Sequence, residues 1–171
     1  VFAGYGLRAP ERGIDDYAGL DVRGKIVATL SGFPKGMASD VGAHLAAEKS
    51  KVAQAQGAVA MVSIMTPTAL RVYPWDRRLI GASEPGLTWV STDGKPYSPA
   101  PGIKASASLN TPAAEALFAG APRTLASVIE EAAREGGNPK GFAQVTGPLM
   151  ERAMRRATTK DLARLKALLE R

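Results

Sequence analysis

The chain has 171 residues, 45% of them apolar and 22% charged, the proportions of a folded globular domain and not of a disordered segment. It holds no cysteine and one histidine, His44, which excludes disulfides, thiolate metal sites, a cysteine nucleophile and any mechanism needing two imidazoles from this chain. The net charge of +6 divides unevenly, with 15 basic and 13 acidic side chains in residues 1–150 but 7 and 3 in residues 151–171, so the excess marks a short, solvated C-terminal helix face and no nucleic-acid partner is expected.

Val1–Tyr5 reads as a strand closed by Gly4 and Gly6, and a turn-rich stretch follows from Ala9-Pro10 to Tyr17. Lys25–Leu30 is a short apolar run with β-branched residues, expected as a buried strand, and Ser31–Met37 is a loop punctuated by Gly32, Pro34 and Gly36. Val41–Gln56 has helix-forming composition, with Asp40 as N-cap and Gly57 as stop; Leu45 and Val52 face inward, and Glu48, Lys49 and Lys51 face water. Ala58–Met65 is a second buried strand, and this apolar stretch is far short of the roughly 20 residues a membrane helix needs, so no membrane span is expected. Strand, loop, helix and strand together make one βαβ-like unit, which favours parallel pairing and a right-handed crossover.

Beyond it, Tyr73–Gly86 reads as irregular and Leu87–Val90 as a strand, with Trp89 in the core. A turn at Asp93-Gly94 and the prolines Pro96, Pro99 and Pro101 mark an exposed excursion. Ile103–Asn110 alternates, with Ile103, Ala105, Ala107 and Leu109 on one face and Lys104, Ser106, Ser108 and Asn110 on the other, the pattern of a half-buried strand. Helices are expected over Pro112–Ala119, with proline at the first turn, and over Leu125–Glu135, ended by Gly136-Gly137. Ala143–Leu149 is loosely strand-like, and Thr158-Thr159-Lys160-Asp161 opens a basic helix striped by Leu162, Leu165, Leu168 and Leu169.

Chemistry has few places to sit. Gly4-Tyr5-Gly6 follows a strand as a dinucleotide-binding turn does, but Pro10, Arg12 and Gly13 stand where the phosphate-binding helix must start. His44 lies four residues after Asp40 on the expected helix, and no serine occupies a Gly-x-Ser-x-Gly elbow that it could serve. Asp15, Asp16 and Asp21 fit turn formation better than paired-carboxylate catalysis or a calcium loop, which needs evenly spaced oxygen ligands ending in glutamate. Tyr73-Pro74-Trp75 forms either a contact edge or a lid folded over the core. The candidate contact residues are Phe33 and Lys35 in the Gly32–Gly36 loop, and Tyr73, Trp75 and Arg77.

One long run is more informative: Phe2-Ala3-Gly4-Tyr5-Gly6-Leu7, Ala9-Pro10, then Asp15-Asp16-Tyr17-Ala18-Gly19-Leu20-Asp21-Val22-Arg23-Gly24-Lys25-Ile26-Val27 without a gap. It resembles the opening of the protease-associated (PA) domain inserted in bacterial di-zinc aminopeptidases, the group related to glutamate carboxypeptidase and the transferrin receptor. Lys51 with Ala53–Ala60, Leu87-Thr88-Trp89, Pro101–Ala107 and Gly136–Phe142 are similar to later pieces of the same domain, so the likeness covers about residues 1–142. It implies a mixed α/β fold, a small β-barrel or sandwich with flanking helices, and signature residues of structural use: Gly4, Tyr5, Gly6, Asp15, Asp16, Tyr17, Gly19, Leu20, Asp21, Gly24 and Lys25. It further implies a non-catalytic module that gates or shapes peptide access to a peptidase domain of the same polypeptide. The zinc of such enzymes is expected only in that other domain, with no cofactor, metal ligand or catalytic residue here. Members of the family are commonly periplasmic or secreted.

The expected organisation is therefore a PA-like domain over residues 1–149, with residues 142–149 as its closing strand, and a basic helical tail over 150–171. Because Val1 opens directly into a strand, we read the chain as a piece of a longer polypeptide. The alternative is a free-standing interaction module that recruits its partner through the Leu-striped helix.

Overall fold

The computed structural model describes residues 1–83 and 87–143. The expected tail helix, and the segment of 143–149 beyond Ala143, lie outside the described residues.

The chain enters through Phe2, then turns at Gly4 and Gly6 into a short hairpin. Its strands β1 (Arg8–Ala9) and β2 (Ile14–Asp15) pair antiparallel around a 3-10 turn at Pro10–Arg12. The Ile26-Val27-Ala28-Thr29-Leu30 run forms β3, buried after its first residue. Two helices follow, α1 (Ser39–Ala47) and α2 (Lys49–Ala55), and lead into β4 (Ala60–Ile64). Next come α3 (Pro67–Val72), α4 (Trp75–Ser83), β5 (Ala105–Leu109), α5 (Thr111–Phe118) and α6 (Leu125–Ala133).

The central sheet has the order β3-β4-β5 with both pairings parallel, as the βαβ-like reading expects. Phe2 extends it past β3: Ala3 N–H donates to Ala28 O at 2.9 Å and Ala28 N–H to Val1 O at 2.8 Å. Phe142 then pairs antiparallel with Phe2 through reciprocal bonds of 2.9 and 2.8 Å. The protein is mixed α/β, and among the described residues neither sheet closes into a barrel. The physical reason is at β5, which pairs with β4 on one side and with no described strand on the other, and all but Leu109 of its residues are exposed.

Alternation along the strands divides the interior into two cores. One face carries Ala28, Leu30, Val62 and Ile64 against Phe2, Leu7, Phe118, Leu125 and Val128. The Phe2, Phe118 and Phe142 rings meet there at centroid distances of 5.2–5.8 Å, within the range of favourable aromatic pairs. The opposite face carries Val27 and Met61 against Ala53, Ala58, Tyr17 and Val22.

Local capping explains three of the six described α-helix starts. Thr66, Asn110 and Thr124 each accept from the backbone N–H three residues on, at 3.3, 3.1 and 3.2 Å, and Pro67 and Pro112 occupy first turns where an N–H is dispensable.

Five expectations are corrected. The helix over Val41–Gln56 is two helices, broken at Glu48 (φ −85°, ψ −4°), whose N–H is shared between the carbonyls of His44 and Leu45. Asp40 is not the N-cap, because the helix already includes Ser39 and Ala38 caps it without a side-chain bond. The segment after Tyr73 is helical over α4, since Pro74 closes α3 and leaves Trp75 onward free to coil again. Leu87–Val90 is not a buried strand: Val90 makes one bridge, to Pro96, and Trp89 is 67% exposed, stacked on Tyr97 at 4.6 Å. Nor is β5 half-buried: Ala105, Ser106, Ala107 and Ser108 are all exposed, the alanine face as much as the serine face.

Candidate functional site

The signature residues draw together two distant parts of the chain. Asp16 Oδ2 accepts from Leu7 N–H at 2.9 Å, and its Oδ1 accepts from the Asn138 side-chain amide at 2.7 Å. Burial pushes the Asp16 carboxyl above its ordinary range, and these two bonds, with Lys49 and Lys140 nearby, pull it partly back. Asp15 holds the hairpin by accepting from Arg8 Nε at 3.2 Å and from Tyr17 N–H at 3.0 Å. The Tyr17 hydroxyl is buried without a hydrogen-bond partner, and burial beside Asp16 and Asp15 raises its pKa. Tyr5 packs in the first core, donates to Ala132 O at 3.4 Å, and its phenol is likewise raised by burial.

The glycines have steric reasons. Gly4 takes φ +52°, and a Cβ there would lie 2.5 Å from Pro139 O; Gly6 takes φ +72°, and a Cβ there would lie 2.5 Å from Thr29 Cγ2. Gly19 and Gly24 also adopt positive φ, in the turns around Leu20, which packs partly against the second core. Asp21 is exposed and accepts from Arg23 Nε at 3.0 Å, Arg23 N–H at 3.3 Å and Lys25 Nζ at 3.3 Å, which hold its pKa down to about 2. These residues build the scaffold.

The candidate site lies on the sheet face that α2 leaves partly open. Parallel register aligns Thr29, Ser63 and Ser108 in one row across β3, β4 and β5, and Val27, Met61 and Ser106 in the next. Side chains of one row point to the same face, so hydroxyls collect over the carboxyl-terminal half of the sheet. A cleft of about 750 Å³ stands above them, walled by Lys49 and Ser50 on one side and by Tyr73, Trp75, Arg78 and Leu79 on the other. Its size is that of a small-molecule site.

Two cations stand in that wall. The Lys49 ammonium donates to Leu30 O at 2.7 Å and Gly32 O at 2.6 Å, the carbonyls where β3 ends, and lies 5.7 Å from the centroid of the Tyr5 ring. Burial lowers its pKa to about 8, against the opposing pull of Asp16. Lys49 therefore does not face water as its helical position suggests; the break at Glu48 coincides with its turn toward the sheet. Arg78 rests its guanidinium 5.1 Å from the centroid of Tyr73, and its Nε is buried without a hydrogen-bond partner. No carboxylate lines the cleft among the described residues.

The expected contact residues divide. Tyr73 and Trp75 both line the cleft, whereas Arg77 is exposed on α4 with its carbonyl accepting from the Tyr73 hydroxyl at 3.3 Å. Phe33 packs against the first core, over Gly42 of α1, and Lys35 pairs with Glu135 at 3.7 Å; neither lines the cleft. Sequence reasoning missed Lys49, Arg78 and the hydroxyl row. The serine half of that row was visible in the alternation of Ile103–Asn110, but Thr29 and Ser63 sit inside runs that look uniformly apolar.

His44 is exposed on α1, beside a smaller cleft of about 560 Å³ that also touches Arg8, Arg12, Asp40 and Glu48. No group of three or more metal-ligating side chains occurs among the described residues, and no described helix is long and apolar enough to cross a membrane. No family model, curated protein or solved structure matches this chain.

Proposed function

We propose that this chain is a non-catalytic PA-type module of a zinc aminopeptidase-like protein, which walls or gates the path of a peptide to a catalytic domain elsewhere in the same polypeptide. The observation that carries the reading is the ungapped Asp15–Val27 run with its Phe2–Leu7 prelude. The contacts around it support treating residues 1–142 as one unit. Asn138, from the last quoted piece of the resemblance, hydrogen-bonds Asp16 of the first, and Phe142 pairs with Phe2. The closed barrel of such modules belongs to this proposal, as does the zinc of the catalytic domain. Tyr73 and Trp75, on the wall of the cleft, are the residues assigned to substrate contact.

An antibody raised to residues 1–142 is expected to detect, in source extract, a polypeptide well above the 17.9 kDa of this chain. A native band at 17.9 kDa overturns the proposal. In the larger protein, Tyr73→Ala with Trp75→Ala is expected to change KM or the preference for peptide length, and unchanged kinetics on short and long peptides refute the contact assignment.

A further inference from the structure

The charge and shape of the open cleft point to a ligand of a particular kind, independent of any peptidase context. Its wall combines Lys49 and Arg78 with no carboxylate among the described lining residues, and its floor is a set of hydroxyls from Ser63, Ser106 and Ser108. Such a surface is complementary to an anion, because cationic donors and hydroxyls can all donate to the same oxygens. Arg78 lines the cleft with its Nε buried and without a partner, an uncompensated donor that a shift of the side chain toward a bound acceptor would satisfy. Lys49 spends two of its three N–H groups on Leu30 O and Gly32 O, and one remains. The aromatic part of the wall adds a second requirement. Tyr73 already has Arg78 over its ring, while the flat indole of Trp75 lines the cleft and offers a stacking surface.

We infer that the cleft between α2, α4 and the serine face of β4 and β5 binds a small anion carried on a planar ring, a carboxylate or phosphate held by Arg78 and Lys49 with the ring against Trp75. Other anchoring residues are Ser63 and Ser108.

Calorimetric titration of the 171-residue chain tests this with 1-naphthoate and 1-naphthyl phosphate, against the neutral 1-naphthylmethanol and ring-free inorganic phosphate. Saturable one-to-one binding of at least one ring-bearing anion is expected, the tighter of the two identifying the head group. The neutral alcohol and inorganic phosphate are each expected to bind at least about tenfold more weakly, and Arg78→Gln is expected to cost a similar factor for the anions. Trp75→Ala is expected to weaken the ring-bearing anions and leave inorganic phosphate unchanged. Arg77→Gln, outside the cleft, is the control and should leave binding intact. If Arg78→Gln melts below the parent chain, Ser108→Leu on the exposed strand blocks the floor instead and should abolish binding. Absence of saturation, equal binding of naphthoate and the alcohol, equal binding of inorganic phosphate, or equal losses from Arg77→Gln and Arg78→Gln each overturn the inference.

Discussion

Replacing Asn138 by alanine removes the donor that ties the end of the described chain to Asp16, across 122 residues of sequence. The bond is short, 2.7 Å, and its acceptor is an ionised, partly buried carboxylate. Hydrogen bonds to charged groups contribute about 1.5–3 kcal/mol, and because the Asn138 Oδ1 is buried without a partner and is lost with the side chain, the lower half applies, about 2 kcal/mol. For a chain of this size that is a fall of roughly 4–8 °C in Tm. The pH dependence separates this cause from a simple packing loss. Burial already holds the Asp16 pKa above its ordinary value, and the Asn138 bond is one of the influences pulling it down. Without that bond the folded pKa rises further while the unfolded one stays put. A folded state that binds its proton more tightly than the unfolded state gains stability as pH falls through the folded pKa. The deficit of the variant is therefore largest at pH 7 and shrinks as the pH falls through the raised folded pKa of Asp16 to that of an unperturbed aspartate, about pH 4. Urea denaturation of both chains at the two pH values measures it. A deficit below about 0.5 kcal/mol at pH 7, or one equal at both pH values, refutes the reasoning.

Gly6→Ala is expected to destabilise by about 3 kcal/mol, combining a left-handed backbone with the Thr29 Cγ2 contact; Thr29→Ser, which deletes that methyl, should return part of the loss, and strict additivity in urea melts would sink the steric account. The Asp21 carboxyl is expected to titrate at about 2 by NMR and to move up toward ordinary values in Arg23→Ala. Because its folded pKa is depressed, the stability it supplies is present above the unfolded carboxyl pKa and is lost as pH falls toward about 2, so Asp21→Asn should flatten that part of the acid limb. Trp89→Ala is expected to cost less than about 1 kcal/mol, against the roughly 3–5 kcal/mol of a core tryptophan, and a core-sized loss would contradict its exposed, Tyr97-stacked position.

The elements legible from sequence are those whose signal is local. Lys25–Leu30 and Ala58–Met65 announce β3 and β4 by short apolar runs bounded by Gly24, Gly32 and Pro67, and the helices α5 and α6 begin where Asn110 and Thr124 supply capping oxygens, with Pro112 in the first turn of α5. The same local logic failed where two signals overlap. Thr66-Pro67 was legible as a strand end but is also the cap of α3, and Tyr73-Pro74-Trp75 looked like a break although proline ends one helix and precedes another. Trp89 was expected in a core from its size and its place in the Leu87–Val90 run; its neighbours Leu87 and Val90 are exposed too, and the ring it meets is that of Tyr97 on the same excursion.

The cleft was less legible for a deeper reason: its residues are spread from Thr29 to Ser108, and only the parallel register of three strands brings them into line. A one-residue slip of β5 would exchange Ser106 and Ser108 for Ala105, Ala107 and Leu109, turning the hydroxyl floor into an apolar one. The alternation of Ile103–Asn110 states which residues share a face but not which face looks toward α4. The Lys49 wall depends equally on tertiary context, since the break at Glu48 carries no glycine or proline to announce it. What makes the site accessible is the incompleteness of the sheet's cover. α2 packs over β3 and the near side of β4, while the serines of β5 are exposed and no described strand pairs with its outer edge. Lys49 recovers part of its lost hydration through Leu30 O and Gly32 O, but Arg78 Nε has no partner and no carboxylate lines the cleft among the described residues, so part of the desolvation loss of both cations stands uncompensated. An arriving anion offsets that loss directly, so binding and local stability are coupled at Lys49 and Arg78.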